Sequence, residues 1–292
     1  MRPDNWHLTE DLDDFLARAG EFLRSRPALH TVPLTVTEAL RTRQGDAYGA
    51  EPPLFGSFER AGEVHAAFFC TPPRRLYLTA LTPEEADTLA ARLARLGHRL
   101  PGVSADHETA AAFAKAWRRH TGTTPTLHER ERLYRLGTLT PPQPLPEGRG
   151  RVAGERDREQ LMLWHREFVA DIGGSLAADS STWADTRIAH GRVTFWETPD
   201  GTPVSMAGVT PMVASQIRVA PVYTPTHLRG RGYAAAATAE VSRAAMAAGA
   251  AEILLFADLA NPTSNGLYQR IGYRSVADFA VYNFPYAAPE VR

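Results

Sequence analysis

Cysteine is almost missing from this sequence. Cys70 is the only one in 292 residues, which excludes an intrachain disulfide and a cysteine-built zinc site. Its apolar surroundings, His65-Ala-Ala-Phe-Phe-Cys70, predict a buried and inert thiol. Lysine is equally scarce. Lys115 stands alone among 32 basic residues, the rest being arginine, and together with the alanine content this looks like coding bias rather than a binding device. Net charge is also lacking, at -1, so there is no global electrostatic case for a nucleic-acid or membrane partner. No run approaches the roughly eighteen apolar residues that a membrane helix needs. The N-terminal stretch has neither the basic start nor the apolar core of a signal peptide. The expectation is a cytoplasmic protein.

What is present is the ordinary mixture of a globular chain, with 43% hydrophobic and 22% charged residues. The length points to two units of roughly 150 residues each. In the first half, Asp11 to Arg24 places Leu12, Phe15, Leu16, Ala19, Phe22 and Leu23 at helical spacing, with aspartates at the start where the helix dipole favours them. Val36 to Gln44 reads as a second short helix. Leu54 to Glu59, Glu63 to Thr71 and Arg74 to Thr79 form an antiparallel meander. Thr82-Pro83-Glu84-Glu85 then supplies a cap and a first-turn proline for a helix ending at Gly97. A strand near Leu100 to Val103, a helix over Glu108 to His120 and a strand over Glu129 to Leu139 complete this half. The prolines of Thr140 to Pro146 remove several backbone donors in a row and mark a linker, giving domains at 1-139 and 151-292 joined by 140-150.

In the second half, Val152 sits in a short strand, and Asp157 to Ile172 forms a helix stopped at Gly173-Gly174. Ser180 to His190 reads as another helix. Strands over Arg192 to Glu197, Pro203 to Pro211 and Ser215 to Tyr223 follow. A helix from Gly232 to Ala248 then leads to the apolar strand Glu252 to Asp258, a helix over Pro262 to Ile271 and a strand over Ser275 to Asn283. Strand, crossover helix and strand from Ser215 to Asp258 make a βαβ unit, so its two strands should run parallel.

The chemistry concentrates between Ile217 and Arg274. In the turn Leu228-Arg-Gly-Arg-Gly-Tyr233, Gly230 and Gly232 can take positive φ and let a ligand approach the backbone. The free N–H groups at the start of the next helix, with Arg229 and Arg231, suit a pyrophosphate. Equally, the glycines could merely close a tight turn. The pattern is not a P-loop, since no Gly-Lys-Ser/Thr follows, and it lacks the third glycine and downstream acid of a dinucleotide fold.

The run VYTPTHLRGRGYAAA followed by LLFADLANPTSNGLYQRIGY resembles the GNAT superfamily of N-acyltransferases, over roughly Val152 to Asn283. The family's acyl-CoA motif is Gln/Arg-x-x-Gly-x-Gly/Ala; His227 stands at its first place and Gly230 and Gly232 fit the rest. An asparagine after the second strand and a tyrosine seven residues on correspond to Asn261 and Tyr268. The resemblance implies an α/β fold with a splayed mixed sheet flanked by helices; the first half repeats its order of elements without its sequence, as a degenerate GNAT-like domain in tandem or as an unrelated α+β domain. The resemblance also implies acetyl-CoA or another acyl-CoA as co-substrate, no metal, and a small amine or a peptide amino group as acceptor. Backbone groups of Val219 to Tyr223, Val222 included, would hold the thioester, although Pro221 cannot donate. Gly230, Arg231, Gly232, Tyr233 and Ala234 would face the pyrophosphate with Arg229 nearby, and Asn261 and Asn265 would contact the cofactor.

Tyr268 would protonate the departing thiolate, since a phenol with pKa near 10 is protonated at neutral pH. It could also be a core aromatic, and Asn261 could cap the helix at Pro262. Glu197 or Asp258 would be the base, with His165 and His190 as further possibilities. A non-catalytic acyl-CoA sensor, and acylation of a thiol-cofactor precursor of the mycothiol-synthase type, are the alternative functions. Where the second half has its glycine turn, the first has Glu84 and Glu85, which would repel a pyrophosphate.

Overall fold

The computed structural model describes residues 6–42, 51–173 and 180–285. These form two compact units. The first takes the described residues up to Leu133, together with Phe256–Asn261 and those from Val276 on; the second takes Tyr134–Leu255 and Pro262–Ser275.

The first unit opens with β1 (Trp6–Thr9) and α1 (Leu12–Ser25), whose N-cap Asp11 accepts hydrogen bonds from the N–H groups of Asp13 and Asp14. Phe15 on α1 stacks on Phe55 at 4.9 Å. The next helix, α2, spans Thr31–Thr42 and so begins five residues before the expected Val36. Its first turns are rich in β-branched residues, which weakens the sequence signal. The Thr35 and Thr37 hydroxyls nevertheless fold back to the carbonyls of Thr31 and Pro33, both at 2.8 Å, and both side chains are buried. The expected end of this helix at Gln44 lies outside the described residues, as does Gly174.

β2 (Leu54–Arg60), β3 (Glu63–Cys70) and β4 (Leu76–Leu78) form the antiparallel meander. β4 connects through α3 (Pro83–Arg95) to β5 (Gly102–Asp106), which lies parallel to it. α4 (His107–Thr121) and β6 (Thr126–Leu136) follow. Leu89 and Leu93 of α3 and Phe113 and Trp117 of α4 close over Phe68, Leu76 and Leu78 in one buried cluster. Cys70 is buried there too, and burial pushes its thiol up to about 11, the inert state its setting predicts.

In the second unit β7 (Arg149–Val152) leads through a 3-10 turn into α5 (Arg158–Asp171), then α6 (Ser180–Ala189). β8 (Val193–Glu197), β9 (Pro203–Val209) and β10 (Gln216–Tyr223) add antiparallel strands in order. α7 (Tyr233–Ala247) crosses over to β11 (Glu252–Asp258), and Gln216–Arg218 pairs parallel with Glu252–Leu254, as a βαβ unit requires. α8 (Pro262–Arg270) and β12 (Tyr273–Asn283) complete the regular structure of the described residues. The alanines of α7 keep its inner face thin enough to lie close on β8, β9 and β10. Trp164 of α5 packs edge-on against Phe195 at 5.3 Å within a core that includes Met206 and Tyr223. The last part of β12, Phe279–Asn283, belongs to the first unit and pairs antiparallel with β5. Among the described residues no helix is long and apolar enough to cross a membrane, and no group of three or more His, Cys, Asp or Glu side chains could hold a metal.

Candidate functional site

The second unit builds its site from β10, the turn after it, and α8. β10 pairs with β11 only over Gln216–Arg218 among the described residues, whereas its β9 ladder continues through Val219–Val209, Val222–Ala207 and Tyr223–Met206 with a bulge between Val219 and Val222. The bulge takes residues 220 and 221 out of register and leaves backbone groups there outside a ladder. Gly208 permits it, because a Cβ at that position would stand 2.9 Å from the Ala220 carbonyl oxygen. Val219 and Tyr223 are buried, and Val222 between them is half-buried, the alternation expected of a strand.

The end of β10 is held from several sides. Tyr223 donates its hydroxyl to Glu167 of α5 at 2.8 Å, and Ser205 of β9 donates to the Tyr223 carbonyl at 3.0 Å. Burial first, then the Glu167 carboxylate, pushes the Tyr223 phenol up to about 12. After a 3-10 turn at Thr226–Leu228 the chain reaches Gly230 and Gly232 with φ of 77° and 81°. These values make both positions glycine-specific. A Cβ at Gly230 would meet nothing within 4 Å, and at Gly232 only Pro146 at 3.8 Å, so the space beside the turn is open.

Gly232 is the N-cap of α7 and supplies no side chain to cap it; no acidic residue occupies the first turn, and the first backbone bond of the helix is donated by Ala236. The N–H groups of half-buried Tyr233 and Ala234 therefore precede the intrahelical ladder, where the helix dipole makes an anion site. The two arginines of the turn differ. Arg231 is exposed and reaches back only to the His227 carbonyl at 3.5 Å. Arg229 donates to the Thr224 carbonyl at 2.9 Å, pairs with Asp171 and lies 5.9 Å over the Tyr223 ring. The acyl-CoA motif also fits this sequence two residues later, as Arg229-x-x-Gly232-x-Ala234. That register has no departure at its first place and puts the motif glycine at the N-cap.

Tyr268 on α8 is buried at 9% exposure and meets Tyr273 edge-on at 6.1 Å. Desolvation pushes its phenol up to about 12. Tyr273 donates to or accepts from Ser242 of α7 at 2.7 Å, whereas the Tyr268 hydroxyl has no hydrogen-bond partner among the described residues. The core role and the acid role are thus compatible: the ring packs, and the proton is not committed. Asn265, one turn earlier, accepts a hydrogen bond from Tyr134 at 2.7 Å, and Gln269 donates to the same phenol oxygen at 3.3 Å.

Glu197 is 2% exposed and spends both carboxylate oxygens on cations, Arg149 at 2.9 Å and Arg151 at 2.6 Å; Arg151 also grips Asp157. Arg151 foremost, then Arg149, holds the Glu197 carboxyl below its ordinary value, which is the opposite of what a base near neutral pH needs. Asp258 and Asn261 fall in the first unit. Asp258 accepts from the Ala260 N–H at 2.8 Å and, through its carbonyl, from Asn261 N–H at 3.0 Å, closing the turn after β11. His165 shares a hydrogen bond with Ser180 at 3.0 Å, stacks on Trp183 at 4.2 Å, and is held below its ordinary pKa by burial and then Arg187. His190, just past the end of α6, binds the Thr186 carbonyl of that helix. Glu167, Asp171 and Tyr134 are the site neighbours that sequence reasoning missed; their partners are 56 to 131 residues away in the chain, so no local spacing reveals them.

No curated protein matches the chain. Among solved structures the chain is similar to a GCN5-related N-acetyltransferase from Sphaerobacter thermophilus, at 18% identity and TM-score 0.66 over 98% of each chain. It is also similar to a GNAT-family acetyltransferase from Colwellia psychrerythraea, at 12% identity and TM-score 0.59, over 96% of this chain and 99% of that one. A tandem GNAT protein from the clavulanic acid biosynthesis pathway gives 12% identity and TM-score 0.54 over 95% of this chain and 97% of that one. At such identities the likeness is one of fold, and it extends over both halves of the chain. Residues 159–273, which hold the bulged β10, the glycine turn, α7 and Tyr268, match the model of the Acetyltransferase (GNAT) family; the second half of this chain carries a GNAT domain.

Proposed function

We propose that the GNAT domain is an acyl-CoA-dependent N-acyltransferase, with acetyl-CoA as donor and a primary amine of a small molecule or peptide as acceptor. The observation that carries this reading is the uncapped start of α7, with open space beside Gly230 and Gly232, directly after a bulged strand. The pyrophosphate lies against the Tyr233 and Ala234 N–H groups, where the helix dipole favours it, and Arg231 adds charge. The bulge at Val219–Val222 offers backbone groups to the pantetheine and thioester. The amine attacks the thioester carbonyl carbon, the C–S bond breaks, and the thiolate takes its proton from the Tyr268 hydroxyl, which burial keeps protonated. The ion pairs of Glu197 argue against it as the base; Asp258→Asn, read through kcat, tests the other carboxylate that the sequence offers.

Along the sequence, 1-139 is in this reading a degenerate GNAT-like part, 140-150 a connector and 151-292 the catalytic part, with the ends of β11 and β12 in the first compact unit. The test is thiol release from acetyl-CoA by the intact protein across a panel of amines that includes thiol-cofactor precursors. Amine-dependent release is expected. Binding of acetyl-CoA with no release for any amine would replace the enzyme by an acyl-CoA sensor.

A further inference from the structure

Resting on that reading, we infer that Arg229 is a positioning residue that fastens the end of α5 to the strand entering the phosphate turn, rather than a ligand of the phosphate. A guanidinium has five donors in a planar fork and can serve several acceptors at once. Here its Nε donates to the Thr224 carbonyl at 2.9 Å and an Nη donates to the Asp171 carboxylate, while its carbon lies 5.9 Å over the Tyr223 ring. Asp171 is the last residue of α5.

One turn earlier on the same helix, Glu167 accepts the Tyr223 hydroxyl at 2.8 Å. Two consecutive turns of α5 are thereby tied to two consecutive residues at the end of β10, one through a phenol and one through a guanidinium. Ser205 braces the same residues from β9, donating to the Tyr223 carbonyl and sharing a hydrogen bond with the Thr224 hydroxyl at 2.8 Å. Arg231, by contrast, is exposed and among the described residues bonds only the His227 carbonyl, so it is the arginine of the turn whose charge is available to an incoming anion. Neighbouring arginines in one turn thus divide two tasks, and the sequence alone assigned both to the phosphate.

The test compares two donors, acetyl-CoA and S-acetyl-pantetheine, which lacks the pyrophosphate. Loss of a phosphate contact harms only the first; loss of a clamp harms both. Arg229→Gln is expected to lower kcat/KM by about five- to tenfold on both donors, a magnitude set by an exposed ion pair and one hydrogen bond. Asp171→Asn should lower it by a similar factor, and the double variant should be no worse than either alone. Arg231→Gln should raise the KM for acetyl-CoA and leave S-acetyl-pantetheine unaffected. A loss in Arg229→Gln confined to acetyl-CoA overturns the proposal, as does no loss on either donor. If the wild-type protein uses neither donor, the acyl-transfer reading fails instead, and the clamp is judged by thermal melting. Coupled effects of Arg229→Gln and Asp171→Asn on Tm then support it, and additive effects overturn it.

Discussion

The two units each place a helix between parallel neighbours, β4-α3-β5 in one and β10-α7-β11 in the other, yet the two helices begin in opposite ways. Thr82 caps α3 by accepting from the Glu85 N–H at 3.2 Å, Glu85 accepts in return from the Thr82 N–H at 2.9 Å, and Pro83 has no N–H to offer. The Glu85 and Ala86 donors of α3 are consumed by Thr82, Pro83 has none, and two carboxylates stand where an anion would come. α7 starts on Gly232 in a left-handed conformation with no cap and no acid.

The contrast continues one strand later. Tyr268 stands seven residues after Asn261 ahead of α8, and Phe113 stands seven residues after Asp106 ahead of α4. Both aromatics are buried, but only the first carries a hydroxyl. A similar scaffold can hold a helix start closed by a side-chain cap, which contributes about 1 kcal/mol, or leave it open, where that contribution is forgone.

Each difference can be erased by substitution. Tyr268→Phe gives α8 the aromatic of α4; kcat should fall by about a hundredfold or more while the Kd for acetyl-CoA stays unchanged, as loss of a general acid requires. Steady-state kinetics beside calorimetry separates the two quantities, and equal kcat in variant and wild type would remove Tyr268 from the chemistry. Gly232→Glu gives α7 an acid like those of α3, in a backbone conformation that a side chain rarely adopts. Acetyl-CoA affinity should weaken by about a hundredfold, from strain and charge together; binding as tight as wild type would show that the pyrophosphate is held elsewhere.

Thr82→Ala opens the start of α3. The protein should lose about 1 kcal/mol of stability in denaturant unfolding and gain no second acetyl-CoA site. The smallest effect concerns pH. A phenol raised to about 12 stays protonated in neutral and mildly alkaline solution and is lost as an acid only as pH rises through that value. The kcat profile should therefore show no alkaline descent from Tyr268 below about pH 10. A descent near neutral pH that vanishes in Tyr268→Phe would contradict the desolvated phenol.

Much of this was legible in the sequence because the signals were local. The apolar run of β11 gave its bounds as Glu252 to Asp258, and the capping box of α3 was spelled out by Thr82 to Glu85. The glycine turn and the Asn261–Tyr268 spacing carried the family resemblance for the same reason. What could not be read depends on partners distant in the chain. Glu197 at a strand end looks like a solvated carboxylate until β7 brings Arg149 and Arg151 against it. Arg229 resembles its neighbour Arg231 until α5 delivers Asp171. The early start of α2 was hidden by β-branched residues whose hydroxyls are satisfied within the helix.

In the function we propose, the chain holds one acyl-CoA site, at the open start of α7. Titration calorimetry of the intact protein with acetyl-CoA tests it most directly. A stoichiometry of about one per chain is expected, kept in Thr82→Ala and lost in Gly232→Glu. No binding to the wild-type protein, two sites per chain, or a site indifferent to Gly232→Glu would contradict it.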